Sequence, residues 1–265
     1  MIVEKSIKII SNRKITSDTY LMELESAELA KESGPGQFVM VKVGDSTDPL
    51  LRRPFSISDA DKNGTVKILY RIVGKGTKIL SNKKRGEFLS ILGPLGSEFK
   101  FPNSGQKAVL IAGGIGIAPI FFLGQSLKPG NFDFLVGFKT FEEIIKVEDI
   151  SGKQNFNVSM ATDDGSFGYK GRVTDLLEET LKQYQKHPDI IYACGPLPML
   201  KQAALTARKH DISCQVSIET FMACGLGVCQ GCAVKVTASE SGTGYQRACK
   251  EGPVFDANEL EWASL

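Results

Sequence analysis

The chain has 265 residues, of which 42% are hydrophobic and 23% are charged, a mixture typical of globular proteins with two or three domains at this length. Its 32 Lys and Arg against 30 Asp and Glu give a net charge of +2, which excludes the strongly basic balance of nucleic-acid-binding and membrane-surface proteins. The N-terminus lacks a signal-peptide core and no run of 18 apolar residues occurs, so we expect a cytoplasmic protein with no nucleic-acid or membrane partner.

Residues 1–103 predict an antiparallel β-barrel domain. In QFVMVKV (37–43) every second residue, Val39, Val41 and Val43, falls on one face of a strand. In VKILYRIV (66–73) the same spacing places Val66, Ile68, Tyr70 and Ile72 on one face. The turn-forming segments SGPG, DKNG and LGPLG separate these strands from their neighbours. Many short strands divided by such turns are typical of a barrel.

Within the barrel, RRPFSIS (52–58) has the residue types that a flavin site needs. Arg53 can pair with a phosphate, Phe55 can pack on the flavin ring, and Ser56 can hydrogen-bond a ring nitrogen. The glycine-rich turn GKGT (74–77) offers backbone N–H groups to a pyrophosphate. Each segment alone also fits an ordinary strand end or turn, and their occurrence in one barrel favours the flavin.

Residues 104–214 predict a parallel α/β sheet. KAVLIAGG, FDFLVGF and IIYACG are short apolar strands, whereas VTDLLEETLKQY and PLPMLKQAALTARKH have the apolar spacing of helices. Strands that alternate with helices form parallel sheets with helical crossovers.

Two strand-to-helix turns of this domain predict a nucleotide site. AGGIGIAP (112–119) and YACGPLPM (192–199) follow strands, and the carboxyl edge of an open α/β sheet is where ligands bind. The third glycine of a full dinucleotide motif is missing, so a tight turn is the alternative. The residues assigned to this site are Gly113, Gly114, Gly116, Cys194, Gly195 and Pro196.

Further along, ATDDGSFGYKG (161–171) is a polar loop in which Asp163 and Asp164 either meet ribose hydroxyls or cap backbone N–H groups. Lys139 either touches a 2′-phosphate or is an ordinary surface lysine. His187 and His210 belong to no nucleophile–base arrangement, and we assign them no role.

Residues 215–265 contain four of the six cysteines and too little apolar material for a separate core, which a bound metal would compensate. Cys224, Cys229 and Cys232 have the C-x4-C-x2-C spacing of plant-type [2Fe–2S] sites, and Cys249 is the candidate fourth ligand. Zinc is the alternative, although structural zinc sites prefer paired C-x2-C segments. Cys214 is expected to be a buried apolar residue.

The order of these regions resembles the ferredoxin–NADP reductase superfamily with an appended [2Fe–2S] domain. The order is a barrel with RPFS, then an α/β domain with GGIGIAP and CGP, then CGLGVCQGC with a later cysteine. LLRRPFSIS, ILYRI, GPLG and ATDDGSFGYKG are similar, within that superfamily, to segments of the electron-transfer subunits of class 1B dihydroorotate dehydrogenases. YACGPLPML, SIETFMACGLGVCQGC and ACKEGPVF together are the most specific part of this likeness. The matching segments cover most of the chain.

The resemblance implies FAD in the barrel, NAD in the second domain, and a cluster on the four cysteines of residues 224–249. The implied partner is an FMN-containing catalytic subunit that oxidises dihydroorotate in pyrimidine (UMP) biosynthesis, in a heterotetramer with two copies of each subunit. Phe55 departs from many relatives, which have Tyr there. The implied FAD-binding residues are Arg53, Pro54, Phe55, Ser56, Leu69, Tyr70, Arg71, Gly76 and Thr77.

This set of cofactors has a chemical logic, because NAD takes two electrons as hydride, a [2Fe–2S] cluster takes one, and a flavin can do both. No acid–base residue is expected for this transfer, and the apolar FMACGLGV segment is expected at the subunit interface. One alternative is a diaphorase subunit of a hydrogenase, a sulfide dehydrogenase or a ferredoxin–NADP transhydrogenase. Another, of a different class, is a non-catalytic zinc-containing binding protein.

Overall fold

The computed structural model describes residues 2–44, 46–61, 63–151, 157–237 and 244–265. Two large sheets and one small one account for all the strands in these ranges. Within the same ranges, no helix combines the length and apolar character needed to cross a membrane.

The first sheet is the predicted antiparallel barrel, which is confirmed as closed, with strand order β1-β2-β5-β4-β3-β6. Two short helices, α1 (Ala27–Glu32) and α2 (Lys75–Ser81), connect its strands. The strands are β1 (Ile2–Lys14), β2 (Thr19–Glu25), β3 (Phe38–Lys42), β4 (Arg53–Ala60), β5 (Thr65–Arg71) and β6 (Phe88–Leu95).

Strand β3 is buried on both faces, although the buried face predicted from the sequence held only Val39, Val41 and Val43. Val39 and Val41 point into the barrel core, as the alternation requires. Phe38 and Met40 point outward and join a second core with Cys232 of the C-terminal region. The barrel wall therefore supports the cysteine-rich segment directly.

The second sheet has seven strands in the order β10-β9-β8-β7-β11-β12-β15, and its parallel character is confirmed for all strands except β15. Its strands are β7 (Ala108–Gly113), β8 (Phe132–Phe138), β9 (Val158–Thr162), β10 (Tyr169–Lys170), β11 (Ile190–Cys194), β12 (Ser213–Ser217) and β15 (Val254–Asp256). Its helices are α3 (Ile117–Ser126), α4 (Val147–Ser151), α5 (Val173–Lys182) and α6 (Leu197–Lys209).

The C-terminal region contributes a two-stranded sheet, β13 (Ala233–Lys235) with β14 (Tyr245–Arg247), before β15 returns to pair antiparallel with β12. Strand β12 crosses the position at which the sequence divides the second and third domains. The three domains 1–103, 104–214 and 215–265 are thus joined by shared strands and a shared core, and their bounds stay predictions.

Candidate cofactor sites

A cavity of about 360 Å³ lies between the barrel and the C-terminal region. It is lined by eight of the nine residues assigned to FAD: Arg53, Pro54, Phe55, Ser56, Leu69, Tyr70, Arg71 and Thr77. The ninth, Gly76, lies beside Arg53, since a Cβ atom on it would come within 3.0 Å of Arg53 Nε. The adjacent strands β4 and β5 present most of this set, so the structure brings the two predicted segments together.

Two of these side chains are already committed to protein contacts. The Tyr70 hydroxyl donates a 2.8 Å hydrogen bond to Asn12 Oδ1, and burial raises the pKa of this phenol. Thr77 Oγ1 accepts hydrogen bonds from the backbone N–H groups of Val73 (2.9 Å) and Gly74 (3.2 Å), which fixes the glycine-rich turn. Both therefore shape the cavity wall more than they offer polar groups to a ligand.

Residues 217–222 also line this cavity, and sequence reasoning did not assign them to a cofactor. Thr220 Oγ1 is buried there and has no hydrogen-bond partner within the described part of the chain. Glu219 faces the open cavity but is closely surrounded by protein, and this desolvation raises the pKa of its carboxyl. An orphaned buried hydroxyl in a cavity lined by an arginine and aromatic rings fits a large polar cofactor such as FAD.

A second cavity of about 330 Å³ lies at the carboxyl edge of the parallel sheet. The predicted residues Gly113, Gly114 and Pro196 line it, together with Lys139 and Asp163. Both strand-to-helix turns therefore meet where an open α/β sheet binds its ligand.

Three other residues predicted for this site support the turns from behind. A Cβ atom on Gly116 would lie 2.3 Å from the Cys194 carbonyl oxygen, so only glycine permits this contact. Gly195 has φ +157° and packs against Gly113. Cys194 is buried, does not line either cavity, and has a thiol whose pKa is raised by desolvation. Its assignment to cofactor binding stays a prediction.

The two neighbouring aspartates of the polar loop have different environments. Asp163 lines the second cavity, whereas Asp164 Oδ1 accepts hydrogen bonds from the Ser166 backbone N–H (2.9 Å) and hydroxyl (2.6 Å). These bonds lower the pKa of the Asp164 carboxyl. The sequence left ribose binding and loop capping open for both aspartates. In the structure Asp163 lines the cavity, whereas Asp164 caps the loop.

Arg71 is shared by both cavities. Its guanidinium lies 3.4 Å from Asp18 and 3.4 Å from Glu143, one carboxylate from the barrel and one from the α/β region. Ligands in the two cavities would therefore meet at a common wall, as a hydride donor and its acceptor must.

The four clustered cysteines lie in two contacting pairs, Cys224 with Cys229 and Cys232 with Cys249. Desolvation opposes ionisation of Cys224, but hydrogen bonds from the Cys229 and Leu226 N–H groups outweigh it and lower the pKa of the thiol. Desolvation and the neighbouring Cys232 raise the pKa of the Cys249 thiol. In a [2Fe–2S] cluster each iron takes two of four thiolates, so two pairs fit that group.

The backbone of the loop is shaped around these sulfurs. The Gly227 N–H donates a 3.0 Å hydrogen bond to Cys249 Sγ, and the Leu226 N–H donates a 3.3 Å bond to Cys224 Sγ. Gly227 has φ +78°, a conformation that favours glycine. Among the described residues, no three Cys, His, Asp or Glu side chains converge as a site for a single metal ion.

The cysteine loop adjoins the first cavity through a very short connection. Met222 lines that cavity, and Cys224 follows two residues later, within about 7 Å along even a fully extended chain. Pro253, on the same cavity, lies four residues after Cys249. Electrons therefore have a short path between a group in the first cavity and the cysteines.

Family models match all three regions of the chain. An oxidoreductase FAD-binding domain matches residues 6–101 and an oxidoreductase NAD-binding domain matches residues 110–204. The iron–sulfur cluster binding domain of dihydroorotate dehydrogenase B matches residues 219–261. The expected FAD, NAD and iron–sulfur domains are confirmed.

Curated relatives match almost end to end. A protein of Caldanaerobacter subterraneus subsp. tengcongensis, named dihydroorotate dehydrogenase B (NAD(+)), electron transfer subunit, is 40% identical over 96% of each chain. A protein of the same name from Geobacillus thermodenitrificans is 39% identical over 98% of this chain and 99% of its own. This chain belongs to the family of dihydroorotate dehydrogenase B electron transfer subunits.

Solved structures place the family within a wider fold. An NADH-dependent reduced ferredoxin–NADP oxidoreductase, described for flavin-based electron bifurcation, matches with a TM-score of 0.84 and 29% identity over 98% of this chain and 91% of that chain. The ferredoxin reductase of carbazole 1,9a-dioxygenase matches with a TM-score of 0.66 and 21% identity over 79% and 66%, which shows a shared fold.

Two features of this family member lie outside the cofactor cavities. The His187 and His210 rings are 4.8 Å apart, and His210 Nε2 lies 3.2 Å from Glu178 of helix α5. Cys214 is buried in β12, as predicted, and burial raises the pKa of its thiol to about 12. None of these residues lines either cavity.

Proposed function

We propose that this chain passes electrons between the cysteine-bound cluster and NAD through FAD, as the electron-transfer subunit of an NAD-dependent dihydroorotate dehydrogenase in pyrimidine (UMP) synthesis. The observation that carries the proposal is the order of the sites, in which Arg71 joins the two cavities and residues 217–222 join the first cavity to the cysteine loop. When bound, FAD accepts or gives hydride as a pair of electrons and exchanges them singly with a [2Fe–2S] cluster.

The protein's contribution is binding, alignment and exclusion of water. Arg53 supplies a cation for the phosphates, and Phe55 and Thr220 line the cavity that would hold the flavin. The glycines of the second cavity let a dinucleotide approach the sheet edge. The proposal assigns no residue to acid–base catalysis.

The site residues are part of this proposal. Gly76 and Gly116 contribute through close packing. FAD would be held by Arg53, Pro54, Phe55, Ser56, Leu69, Tyr70, Arg71, Gly76 and Thr77. NAD would be held by Gly113, Gly114, Gly116, Cys194, Gly195 and Pro196. The cluster would be held by Cys224, Cys229, Cys232 and Cys249.

The proposed partner is a catalytic subunit that carries FMN and oxidises dihydroorotate to orotate, in a cytoplasmic heterotetramer with two copies of each chain. The names of the curated relatives support a catalytic partner. The exposed apolar residues of the cysteine loop, Phe221 at 97% exposure and Val228 at 77%, support an interface there.

The test is purification of the tagged chain from its native cells, followed by an assay of dihydroorotate-dependent NAD⁺ reduction. The expected result is an equimolar partner, flavin and iron–sulfur absorption, and NADH formation. Co-purification with a ferredoxin- or hydrogen-oxidising subunit, without dihydroorotate activity, would replace the proposal with a ferredoxin–NADP transhydrogenase or hydrogenase function.

A further inference from the structure

One arginine joins the two separate segments that carry the cysteines. Arg247 Nη1 donates a 2.8 Å hydrogen bond to the carbonyl oxygen of Gly227, in the loop between Cys224 and Cys229. Arg247 itself lies two residues before Cys249. The residue therefore ties the loop of the first cysteines to the strand end that leads to the last one.

Glu251 holds this arginine in place through several contacts at once. Its carboxylate accepts a 3.0 Å bond from Arg247 Nε and a 2.8 Å bond from the Arg247 backbone N–H, and Nη2 donates to its other oxygen. A bidentate pair fixes the plane of the guanidinium as well as its position. Since both side chains are only 25–31% exposed, solvent screens the pair less than it would a surface pair.

The guanidinium is also close to the sulfur atoms. A Cβ atom on Gly227 would lie 3.5 Å from Arg247 Cζ, and the N–H of the same glycine is the donor to Cys249 Sγ. Arg247 interacts electrostatically with both Cys249 and Cys232, which form one of the two cysteine pairs. One hydrogen-bonded unit thus runs from Glu251 through Arg247 and Gly227 to the sulfur.

We propose that the Arg247–Glu251 pair sets the reduction potential of the cluster on the four cysteines, by fixing the Gly227 N–H on Cys249 and by placing a compensated cation beside that sulfur. This inference rests on the proposed function, because it needs the cluster to be present. Hydrogen bonds to the sulfurs and local charge are the recognised determinants of such potentials.

The charges of Arg247 and Glu251 shift the reduction potential of the cluster in opposite directions. Reduction adds one negative charge to the cluster, so a nearby cation stabilises the reduced form and raises the potential. Removing the Arg247 charge leaves the Glu251 carboxylate uncompensated and lowers the potential. Removing the Glu251 charge leaves the cation uncompensated and raises it.

The test is a redox titration of the cluster, followed by electron paramagnetic resonance, in the FAD-loaded chain and in the variants Arg247→Gln, Glu251→Gln and Arg247→Lys. We expect Arg247→Gln to lower the potential and Glu251→Gln to raise it, each by up to about tenfold in the one-electron equilibrium constant, or about 59 mV. Arg247→Lys restores the charge and brings the potential back toward that of the unaltered protein.

Lys235→Gln is the matched control, because Lys235 lies in the same region and is paired with Glu261 at 3.0 Å. It makes the same charge change, and the potential should stay at that of the unaltered protein. If Arg247→Gln does not retain the cluster, the other two variants still test the inference. The reduction potential of the cluster in Glu251→Gln must then be higher than in Arg247→Lys.

Shifts of the same sign in Arg247→Gln and Glu251→Gln, or shifts no larger than that of Lys235→Gln, would overturn the inference. A purely structural tie would weaken cluster retention in both variants without opposite shifts of potential. Absence of an iron–sulfur signal from the unaltered chain is a different result, since it contradicts the proposed function itself.

Discussion

Neighbouring residues of one loop can have unrelated roles, as Asp163 and Asp164 illustrate. The carboxylate of Asp164 is used by Ser166, whereas Asp163 lines the cavity at the sheet edge. Asp163 follows β9, which lies three strands away from β11 across a spacing of about 4.8 Å per strand. A dinucleotide that spans this distance would place one ribose at each end, so we assign Asp163 to the ribose far from Pro196.

This assignment predicts the effect of Asp163→Asn on nucleotide binding. A carboxylate hydrogen-bonded to ribose hydroxyls contributes about 1.5–3 kcal/mol, and it repels a 2′-phosphate. Asp163→Asn should therefore weaken NADH binding about 10-fold or more and reduce the preference for NADH over NADPH. Asp164→Asn is the matched control, with near-normal affinity. Calorimetric titration with both nucleotides measures this, and equal losses in the two variants would contradict the assignment.

Cys249→Ser tests the fourth cluster ligand. The residue lies well beyond Cys232 in the sequence, and the Gly227 N–H points at its sulfur. The variant should lose most of the iron–sulfur absorption while FAD stays bound, because Cys249 does not line the first cavity. Cys214→Ala, in β12, should keep both cofactors. An unchanged cluster spectrum in Cys249→Ser would show that another residue is the ligand.

At the scale of elements, close packing of two turns depends on Gly116. Its neighbour across the gap is the Cys194 carbonyl, and an added methyl group would lie 2.3 Å from that oxygen. Overpacking of this kind costs about 1–3 kcal/mol. Gly116→Ala should therefore lower the midpoint of thermal unfolding by several degrees, whereas Gly44→Ala, with its nearest atom 3.9 Å away, should not. Equal unfolding midpoints for Gly116→Ala and the unaltered protein would mean that the turns containing Gly116 and Cys194 can move apart without loss of stability.

Helices α5 and α6 are joined through Glu178, which pairs with Lys209 at 3.1 Å and with Thr206 at 3.0 Å. Desolvation raises the pKa of the Glu178 carboxyl, but hydrogen bonds from His210, Lys209 and Thr206 outweigh it and hold the pKa below its ordinary value. A carboxyl with a lowered pKa in the folded state stabilises the fold above its unfolded pKa and loses that contribution as the pH falls through the folded one.

Glu178→Gln should therefore cost about 1 kcal/mol at pH 7, and the difference from the unaltered protein should shrink below about pH 4.3. Urea unfolding at a series of pH values measures this difference. Glu179→Gln is the control, because Glu179 pairs with Lys182 on an exposed surface and contributes little at any pH. A difference that grows as the pH falls below about 4.3, where the carboxyl itself titrates, would mean that Glu178 destabilises the folded state when it is ionised.

At the scale of the whole molecule, local patterns predicted far more than long-range contacts. The period of the barrel strands and the strand–helix order each depend on residues close in sequence, and the structure agrees with them. The cysteine spacing is equally local, and a family model for an iron–sulfur domain matches the region that carries it. The wall formed by residues 217–222 had no local signal, because it becomes a wall only when β12 lies beside the barrel. The second role of Phe38 and Met40 has the same cause, since their partners lie in the C-terminal region, far away in the sequence.

Because the first cavity is built from separate parts of the chain, FAD should stabilise the molecule as a whole. A ligand that binds only the folded state adds stability in proportion to the logarithm of its concentration. Removing FAD should lower the thermal midpoint and speed hydrogen exchange in residues 53–56 and 217–222, which both line the cavity. Strand β8 (Phe132–Phe138) does not contribute to this cavity, so its exchange should speed up less than that of the two cavity segments. Faster exchange confined to the barrel would mean that the C-terminal region holds its position without the flavin.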